Sequence, residues 1–481
     1  MSDTSTDSTQ NPRPLERPGF RTGLKIAVIA LILLLLLIPL RLVESVVSER
    51  QERSRAVTAE TIGTHGGEQR LTAAFVVIPV TVTGENDEGR VYEWTEQVYV
   101  PASDLAIDVT LAPETLVRGI YHVPVYTAGI HLAGTVVVPD DLSFDRSTDA
   151  TFRFDEAQLA IGISNPTALR QRPTGSWDDT SPAPVAAALD PQLSAAAIAA
   201  GSTPGGRGIA FAATGVAPGS RHTFSVNLTL SGGGSFTVLP VAMDADISAA
   251  STWVSPSFGG HILPTERFLS DEGFTATWNV SGLGQGLTDA FTGYHRISTG
   301  ADLRIGLFVP VDHYQKATRS VKYGALFLLL PFVALFLIEV FGRTRLHPIQ
   351  YLLVGAAKVV FYLLELSLSE QLGFTPAYAI GAVATVLLVV TYARSALHSM
   401  ARAMVLAGLL VGEYVFLYTA LASEDYALLI GSIGLFVLLG VVMLTTRRVD
   451  WYAATSRAAG APTSTRRTGG RSADRSGEEI D

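Results

Sequence analysis

This 481-residue sequence is poor in three things: cysteine, charge and basic residues. Because it has no cysteine, disulfides, thiol nucleophiles and zinc–thiolate centres are excluded. Charged residues make up only 16% of the chain, against about 25% in typical soluble proteins. The formal net charge is −9, which argues against a nucleic-acid partner, since phosphate binding needs a basic surface. The shortage of charge indicates a membrane protein.

Sequence signatures of catalytic, metal and cofactor sites are also missing. None of the nine histidines lies in an HExxH pattern or another close metal-ligand spacing. GLGQGL (282–287) lacks the lysine of a phosphate-binding loop and is typical of a turn. There is no GxSxG nucleophile motif. We therefore predict no catalytic residue, no metal and no cofactor.

The apolar residues are concentrated in six runs, each near the length of about 20 residues that spans a bilayer. The first, predicted as a transmembrane helix at 23–43, follows several basic residues and has no small-x-small cleavage site. These flanks favour an uncleaved anchor over a signal peptide. The other predicted transmembrane helices are 323–341, 349–368, 375–392, 403–421 and 426–446, within a membrane region at 322–446.

The short loops between the last five runs alternate between basic and acidic. In order they carry Arg343 and Arg345, then Glu370, then Arg394 and Arg402, then Glu424 and Asp425. Basic loops stay in the cytoplasm. We therefore predict six spans in the bacterial inner membrane, both termini cytoplasmic, and a periplasmic domain between the first and second spans.

Residues 44–321 have the composition of a globular domain and favour strands. LTAAFVVIPVTVTG (71–84) is rich in β-branched residues, and FSVNLTL (224–230) and FTATWNV (274–280) alternate apolar with polar residues. A period of two is typical of half-buried strands. We predict a large, β-rich, sandwich-like domain with antiparallel pairing, and expect the alanine-rich stretch 183–200 to form a helical excursion or a surface insertion.

Both ends of the chain are predicted to be disordered cytoplasmic tails. Residues 1–22 are polar and contain prolines, and residues 447–481 are basic and of low complexity. Neither has enough apolar residues to bury a core. The arginines of the second tail suit an anionic lipid surface, so the lipid bilayer is the predicted partner of both the spans and this tail.

Two aromatic stretches of the β-rich domain are candidate contact surfaces. RGIYHVPVYTAGI (118–130) has the density of tyrosines found either in a sheet core or at a protein contact. WVSPSFGGHILPTERF (253–268) is predicted to be a long ordered loop, and such loops are binding elements or plain connections. The candidate contact residues are Arg118, Tyr121, Tyr126, Trp253 and Phe258.

Charges inside the predicted spans are the candidate intramembrane site. Lys358 and Glu365 lie seven residues apart, about 10.5 Å along a helix. Glu365 is expected to extend towards the outer surface, and Lys358 to be able to pair with Glu413 on another span. Glu339 is expected to pair with Arg343 one turn later. A structural pair and an ion or proton pathway are the two interpretations.

Several long motifs together resemble one known family. They are HPIQYLLVG (347–355), FYLLELSLSEQLGF (361–374), ASEDYALLIGS (422–432), TRRVDWY (446–452), RGIYHVPVYTA (118–128), SPSFGGHILP (255–264), DEGFTATW (271–278) and PVDHYQKATRSVKYG (310–324). The chain resembles the CreD family of cell envelope integrity proteins over nearly its whole length, tails excepted. The resemblance implies an inner-membrane protein with a large periplasmic domain, linked to β-lactam response and colicin tolerance, without an established activity or cofactor. In that family the positions of Lys358 and Glu365 are commonly apolar, which weakens a charge-based mechanism.

The function predicted from the sequence is therefore non-enzymatic. We expect contributions to envelope integrity and stress response through periplasmic contacts with an unidentified envelope protein. The alternative is a transporter or channel-like protein with a polar path near Lys358 and Glu413. A periplasmic hydrolase is a third class, for which no nucleophile and base were found.

Overall fold

The computed structural model describes residues 18–85, 90–142, 149–189, 206–292, 302–307, 313–342, 344–423 and 426–447. The chain divides into two compact units. One comprises Met1–Gln51 and Asp312–Asp481, and the other comprises Glu52–Val311. Most of both predicted tails, together with Arg343, Glu424 and Asp425 of the predicted loops, lies outside the described residues.

The first unit is a bundle of apolar helices. The long helices are α1 (Pro18–Thr64, which continues into the second unit), α3 (His313–Gly342), α4 (Pro348–Leu372), α5 (Phe374–Leu397), α6 (Met400–Ala422) and α7 (Ala427–Thr446). Among the described residues, the five helices α1 and α3–α6 are long and apolar enough to cross a membrane. A sixth span at 426–446 stays a prediction.

Two of these helices extend well beyond the apolar runs that predicted them. Helix α1 continues to Thr64, because residues 48–60 are rich in Glu, Arg, Gln and Ala, which favour helix without being apolar. Helix α3 begins at His313 rather than at 323. Its first turns bury Tyr314, Ala317 and Ser320, so they pack within the bundle.

The HPIQ sequence that opens α4 is a helix start. The His347 side chain accepts a hydrogen bond from the backbone N–H of Ile349 at 3.3 Å, and the Gln350 side chain accepts one from the His347 N–H at 3.1 Å. This reciprocal arrangement is a capping box, and Pro348 occupies the first helical position, where no N–H is needed. Gly373 ends the helix at φ +80°, a conformation that favours glycine.

Small residues allow the helices of the bundle to approach closely. A Cβ at Gly355 would lie 2.2 Å from Leu36, and one at Gly324 would lie 2.9 Å from Leu40. Both leucines belong to α1, so this helix packs against α3 and α4 at glycines. Close backbone approach at small residues is how helices associate in membranes.

The second unit is a β domain that also contains the short helix α2 (Gly282–Gln285). Strands of its first sheet are β1 (Gln69–Glu85), β4 (Asp149–Phe152), β5 (Gln158–Ile163), β7 (Val185–Leu189), β8 (Gly206–Ala212), β10 (Ser235–Leu239), β12 (Pro256–Gly260), β15 (Phe291–Thr292) and β16 (Leu303–Leu307). Strands of its second sheet are β3 (Tyr121–Val137), β6 (Thr174–Trp177), β9 (Arg221–Gly233), β11 (Ala242–Ser251), β13 (Glu266–Ser270) and β14 (Gly273–Ser281). Strand β2 (Val91–Arg118) belongs to both sheets, because residues 91–101 pair with β1 and residues 104–118 pair with β3.

One hydrophobic core holds side chains from both sheets, in keeping with a sandwich-like arrangement. The alternation predicted at 224–230 and 274–280 is confirmed, since the apolar residues of both stretches are buried. Pairing is mostly antiparallel, as expected, but β1–β10 and β2–β11 are parallel. The β-rich domain and the apolar helices of the predicted fold are thus both present.

The alanine-rich stretch is not helical where it is described. Val185–Leu189 forms β7 and pairs with β8, so the predicted helix is wrong there, and residues 190–200 lie outside the described residues. Alanine is the best helix former, but intrinsic propensity is a weak preference, and pairing with a neighbouring strand outweighs it here.

Candidate functional site

Lys358 of α4 and Glu413 of α6 form a buried ion pair. Lys358 Nζ donates to Glu413 Oε1 at 2.6 Å, and the two side chains are only 2% and 1% exposed. The ammonium also lies 4.1 Å from the centroid of the Tyr414 ring, a distance suited to a cation–π contact. The structure therefore brings together the two opposite charges that the sequence placed at mid-depth on separate spans.

Glu365 does not extend to the surface as expected. The residue is 1% exposed, and its Oε2 accepts a hydrogen bond from Ser320 Oγ on α3 at 2.9 Å. Ser320 belongs to the part of α3 that precedes the predicted span. The expectation was wrong because the early start of α3 covers this level of α4.

Glu339 is held by side chains of α1 and α4. It pairs with Lys25 Nζ, and the Tyr351 hydroxyl donates to its Oε2 at 3.0 Å. Lys25 also donates to the Leu346 carbonyl at 2.9 Å. The expected partner, Arg343, lies outside the described residues. Sequence spacing reveals neighbours on one helix. Lys25 is more than 300 positions from Glu339, so spacing could not predict that they pair.

Three of the five predicted contact residues pack into or against the core of the β domain. Tyr126 is 0% exposed, and its hydroxyl donates to the Ser235 carbonyl at 2.7 Å. Burial raises the pKa of the Tyr126 phenol above its usual range. Trp253 and Phe258 are partly buried against the core. Core packing, the alternative for 118–130, therefore describes Tyr126. Phe258 lies in β12, which pairs with β16, so the prediction of a long loop at 253–268 is wrong there.

The other two contact candidates lie at the β2–β3 hairpin. Arg118 donates to Glu60 at 2.9 Å, with both side chains more than half exposed, and Tyr121 is half-buried. Gly119 adopts φ +65° in the turn between them, a conformation that glycine takes without strain. The five predicted residues thus do not make up one continuous surface.

The structure shows an exposed edge that the sequence analysis missed. Every residue of β13 is exposed, and Phe268 and Leu269 are 68% and 51% exposed. Strand β13 pairs with β14 and ends the strand order of its sheet. A groove of about 510 Å³, which we call the edge groove, crosses the strands from β2 to β13; its lining includes Thr110, Leu111, Pro113, Phe268, Ser270 and Phe274.

A sequence signal for this edge existed. Phe268 and Leu269 are consecutive, and neighbouring residues of a strand point to opposite faces. A half-buried strand hides one face only, so at least one of the two side chains had to be exposed. Charged residues surround the pair in TERFLSDEG, which is typical of an edge rather than a central strand.

Asp178, His222 and Ser220 form a hydrogen-bonded chain that also escaped sequence reasoning. His222 Nδ1 lies 2.8 Å from Asp178 Oδ2, and His222 Nε2 lies 2.9 Å from Ser220 Oγ. Trp177 stacks on the imidazole at 4.9 Å. Asp178 and His222 are 44 positions apart and share no motif, so nothing in the sequence joined them.

The Ser220 hydroxyl makes two hydrogen bonds within its own turn. It donates to the Ala217 carbonyl at 2.6 Å and accepts from the Ala217 N–H at 3.0 Å. A serine nucleophile would instead direct its proton to the histidine. The geometry therefore fits a structural clasp that joins the residue after β6 to the start of β9.

The charge of Asp178 fits this clasp. Burial raises the pKa of Asp178, but hydrogen bonds from His222 and from the Thr223 N–H outweigh it and hold the pKa below its usual range. Asp178 adopts φ +46°, which is uncommon for a residue with a side chain, and its hydrogen bonds offset the cost of that conformation.

Long apolar helices together with a large sheet domain define a class: the chain is a multi-pass membrane protein carrying a β domain. The family model for the inner membrane protein CreD matches residues 21–452, so the chain belongs to the CreD family of inner membrane proteins.

Two comparisons give the scale of similarity. Inner membrane protein CreD of Escherichia coli (strain K12) is 36% identical over 231 residues, which cover 47% of this chain and 51% of that protein. The match thus spans about half the length of this curated relative. A solved structure from Parabacteroides distasonis ATCC 8503, described as a candidate protease, is 11% identical, covering 66% of this chain and 59% of that one at a TM-score of 0.21. A TM-score this low does not indicate a shared fold.

Proposed function

We propose that this protein is non-enzymatic and contributes to cell envelope integrity and to the response to envelope stress, antibiotics and colicins. It does so through contacts of its β domain on the periplasmic side. Membership of a family of inner membrane proteins supports a role at the cell envelope. The alternating charge of the short loops supports six spans with both termini in the cytoplasm.

The observation that carries the proposed contact is the edge groove. The free side of β13 offers backbone N–H and C=O groups that no described strand pairs. Proteins normally protect such edges, because they invite pairing with another chain. Here Phe268 and Leu269 add exposed apolar area instead. The partner that fits is an extended segment of another envelope protein, which would add a strand to β13 and place an apolar side chain in the groove.

Crosslinking in living cells tests this contact. A photoreactive amino acid would replace Phe268, and a second variant would carry it at Val117, which is 64% exposed at the β2–β3 hairpin and serves as the matched control. We expect one reproducible protein adduct from position 268 and none from position 117. Phe268→Asp should then increase sensitivity of the cells to detergent at an unchanged protein level. Equal adducts from both positions, or none from position 268, would contradict the contact.

The absence of cysteine makes the orientation straightforward to test. Single cysteines at Gln371 and Ser423 should react with a membrane-impermeant maleimide added to spheroplasts. Single cysteines at Ser395 and Arg447 should react only after the membrane is permeabilised. All four residues are at least partly exposed, and Arg447 follows α7 directly. Reaction of Arg447→Cys without permeabilisation would show that α7 does not cross the membrane.

The transporter or channel alternative is favoured by one observation, the charged side chains inside the bundle. Lys358 and Glu413 nevertheless engage each other at 2.6 Å, which suits a structural pair. Purified protein in liposomes would separate the two functions. Ion flux that requires Lys358 and Glu413 would favour transport, whereas absence of flux alongside crosslinking at Phe268 would favour the contact role.

A further inference from the structure

Glu365 lies deep within the bundle, at the level of Ser320. It precedes the last residue of α4 by seven positions, which is about 10.5 Å of helix. Ser320 follows the first residue of α3 by the same number. The two residues are 1% and 0% exposed, so water has almost no access to this carboxyl group.

Among the described residues, the neighbours of the Glu365 carboxyl group supply it with one hydrogen bond. Ser320 of α3 donates to Oε2 at 2.9 Å, while Oε1 has no hydrogen-bond partner among the described residues. On α5, Gly381 would bring a Cβ to 3.9 Å from the Glu365 backbone nitrogen. The titratable groups in electrostatic range or along the same helix are Tyr362, Tyr378, Tyr414, Glu413 and Lys358.

The single cation in this group is already engaged. Lys358 donates to Glu413 and faces the Tyr414 ring, and it lies about 10.5 Å from Glu365 along the helix axis. Glu413 therefore has a compensating charge, whereas Glu365 has one neutral hydroxyl donor. An ionised carboxylate in that position would be an uncompensated buried charge in hydrocarbon, which is strongly disfavoured.

We propose that Glu365 and Ser320 form an intramembrane proton-binding site. The Glu365 carboxyl group binds the proton at Oε1, the oxygen without a partner, and Ser320 positions the group through Oε2. The Lys358–Glu413 pair is a separate, ionised unit that keeps its charge. Two buried acids in one bundle thus have different protonation states because one of them has a cation and the other does not.

The end of α4 nearest to Glu365 provides the shortest route for proton exchange. Ser369 lies one turn further along α4 on the same face and is 2% exposed. Glu370 follows it, accepts a hydrogen bond from the Tyr314 hydroxyl at 3.1 Å and lies 4.0 Å from Arg50 Nε. This end of α4 carries polar side chains, so the site exchanges protons towards it.

Infrared spectroscopy of the full chain in lipid nanodiscs tests the protonation state directly. A protonated carboxyl group has a carbonyl stretch separate from the carboxylate bands, and it shifts in D₂O. We expect this band at neutral pH, its loss in Glu365→Gln, and its retention in Glu413→Gln. If Glu365→Gln leaves the region unchanged, Glu365 is ionised and the proposal is wrong.

A hydrophobic carbodiimide provides a second, chemical test with a matched residue. The carboxyl O–H adds across one C=N bond of dicyclohexylcarbodiimide; the proton goes to nitrogen, the oxygen bonds to carbon, and acyl transfer to nitrogen then gives a stable N-acylurea. We expect labelling at Glu365 to exceed labelling at Glu413 by about tenfold or more, because Lys358 holds the Glu413 carboxylate and Glu365 has no such cation. Lys358→Met should raise labelling at Glu413. Preferential labelling of Glu413 in the unmodified chain would overturn the proposal.

Discussion

The helix bundle and the β domain differ in the partners that their buried polar side chains have. In the β domain, buried side chains such as Tyr126 and Trp177 donate to backbone carbonyls, and ion pairs such as Arg118–Glu60 are exposed. In the bundle, full charges are buried, as in Lys358–Glu413. A sheet has loops and bulges whose backbone groups can accept side-chain donors. A membrane helix satisfies most of its own backbone groups, so a buried charge on it is compensated mainly by a side chain of opposite charge.

This difference predicts where single substitutions cost most. In the bundle, removing one partner leaves a charge stranded in a medium that cannot solvate it. In the β domain, removing a donor leaves one neutral carbonyl without a partner. At the exposed β2–β3 hairpin, water solvates the charge that remains when one partner of an ion pair is removed.

The largest effect is expected from Lys358→Met. Breaking a buried ion pair on one side destabilises a protein by about 3–5 kcal/mol, because the remaining charge is uncompensated. We expect a correspondingly lower resistance of the purified bundle to SDS unfolding, measured by circular dichroism. Glu413→Met should have a similar effect. The double variant Lys358→Met/Glu413→Met should recover most of the loss, since both charges are gone; a double variant no better than the single ones would show that the pair is not a coupled unit.

A smaller effect is expected from Tyr126→Phe in the β domain. The Ser235 carbonyl would lose its donor inside the core, which costs about 1–3 kcal/mol. Urea unfolding followed by tryptophan fluorescence measures this, because Trp177 and Trp278 are fully buried in the same core. Tyr121→Phe is the matched control on the same strand, and its half-buried hydroxyl should contribute less than about 0.5 kcal/mol. Equal losses in the two variants would mean that burial of the Tyr126 hydroxyl is not what matters.

The same comparison explains what the sequence could and could not reveal. Apolar side chains avoid water, and this preference leaves a local pattern in the sequence. Long apolar runs therefore predicted the helices, and period-two alternation predicted the strands at 224–230 and 274–280. Opposite sign and similar depth made a Lys358–Glu413 pair one of the possibilities. Glu365 was misjudged because its environment depends on residues 313–320, which are too polar to look like a membrane helix. The Asp178–His222–Ser220 clasp and the Lys25–Glu339 pair join residues far apart in the chain, and only the three-dimensional fold brings them together.

Asp178→Asn should change the pH dependence of β-domain stability. The pKa of Asp178 is lower in the folded state than the value of about 3.9 in an unfolded chain, so its contribution is fully present above that value. As pH falls through the lower, folded pKa the contribution is lost. We expect well under about 1 kcal/mol, because the side chain is 41% exposed and its interactions are screened. Urea midpoints of the variant should therefore differ from those of the parent above pH 4 and converge with them in stronger acid. If the urea midpoints of Asp178→Asn instead kept a constant offset from those of the parent in strong acid, the carboxylate would not be held by His222 and Thr223.

The smallest effect is expected from Arg118→Ala, although its ion pair looks much like the buried one. The Arg118–Glu60 distance is 2.9 Å, against 2.6 Å for Lys358–Glu413, but the side chains are 51% and 60% exposed rather than 2% and 1%. Exposed pairs contribute about 0.2–1 kcal/mol, and salt reduces even that. A double-mutant cycle with Glu60→Gln, measured by urea unfolding at low and high salt, should give a coupling energy near the lower end that disappears at about 1 M salt, where the screening length is near 3 Å. A coupling as large as that of the buried pair would show that distance rather than burial sets the strength of these ion pairs, and the contrast between the two units would fail.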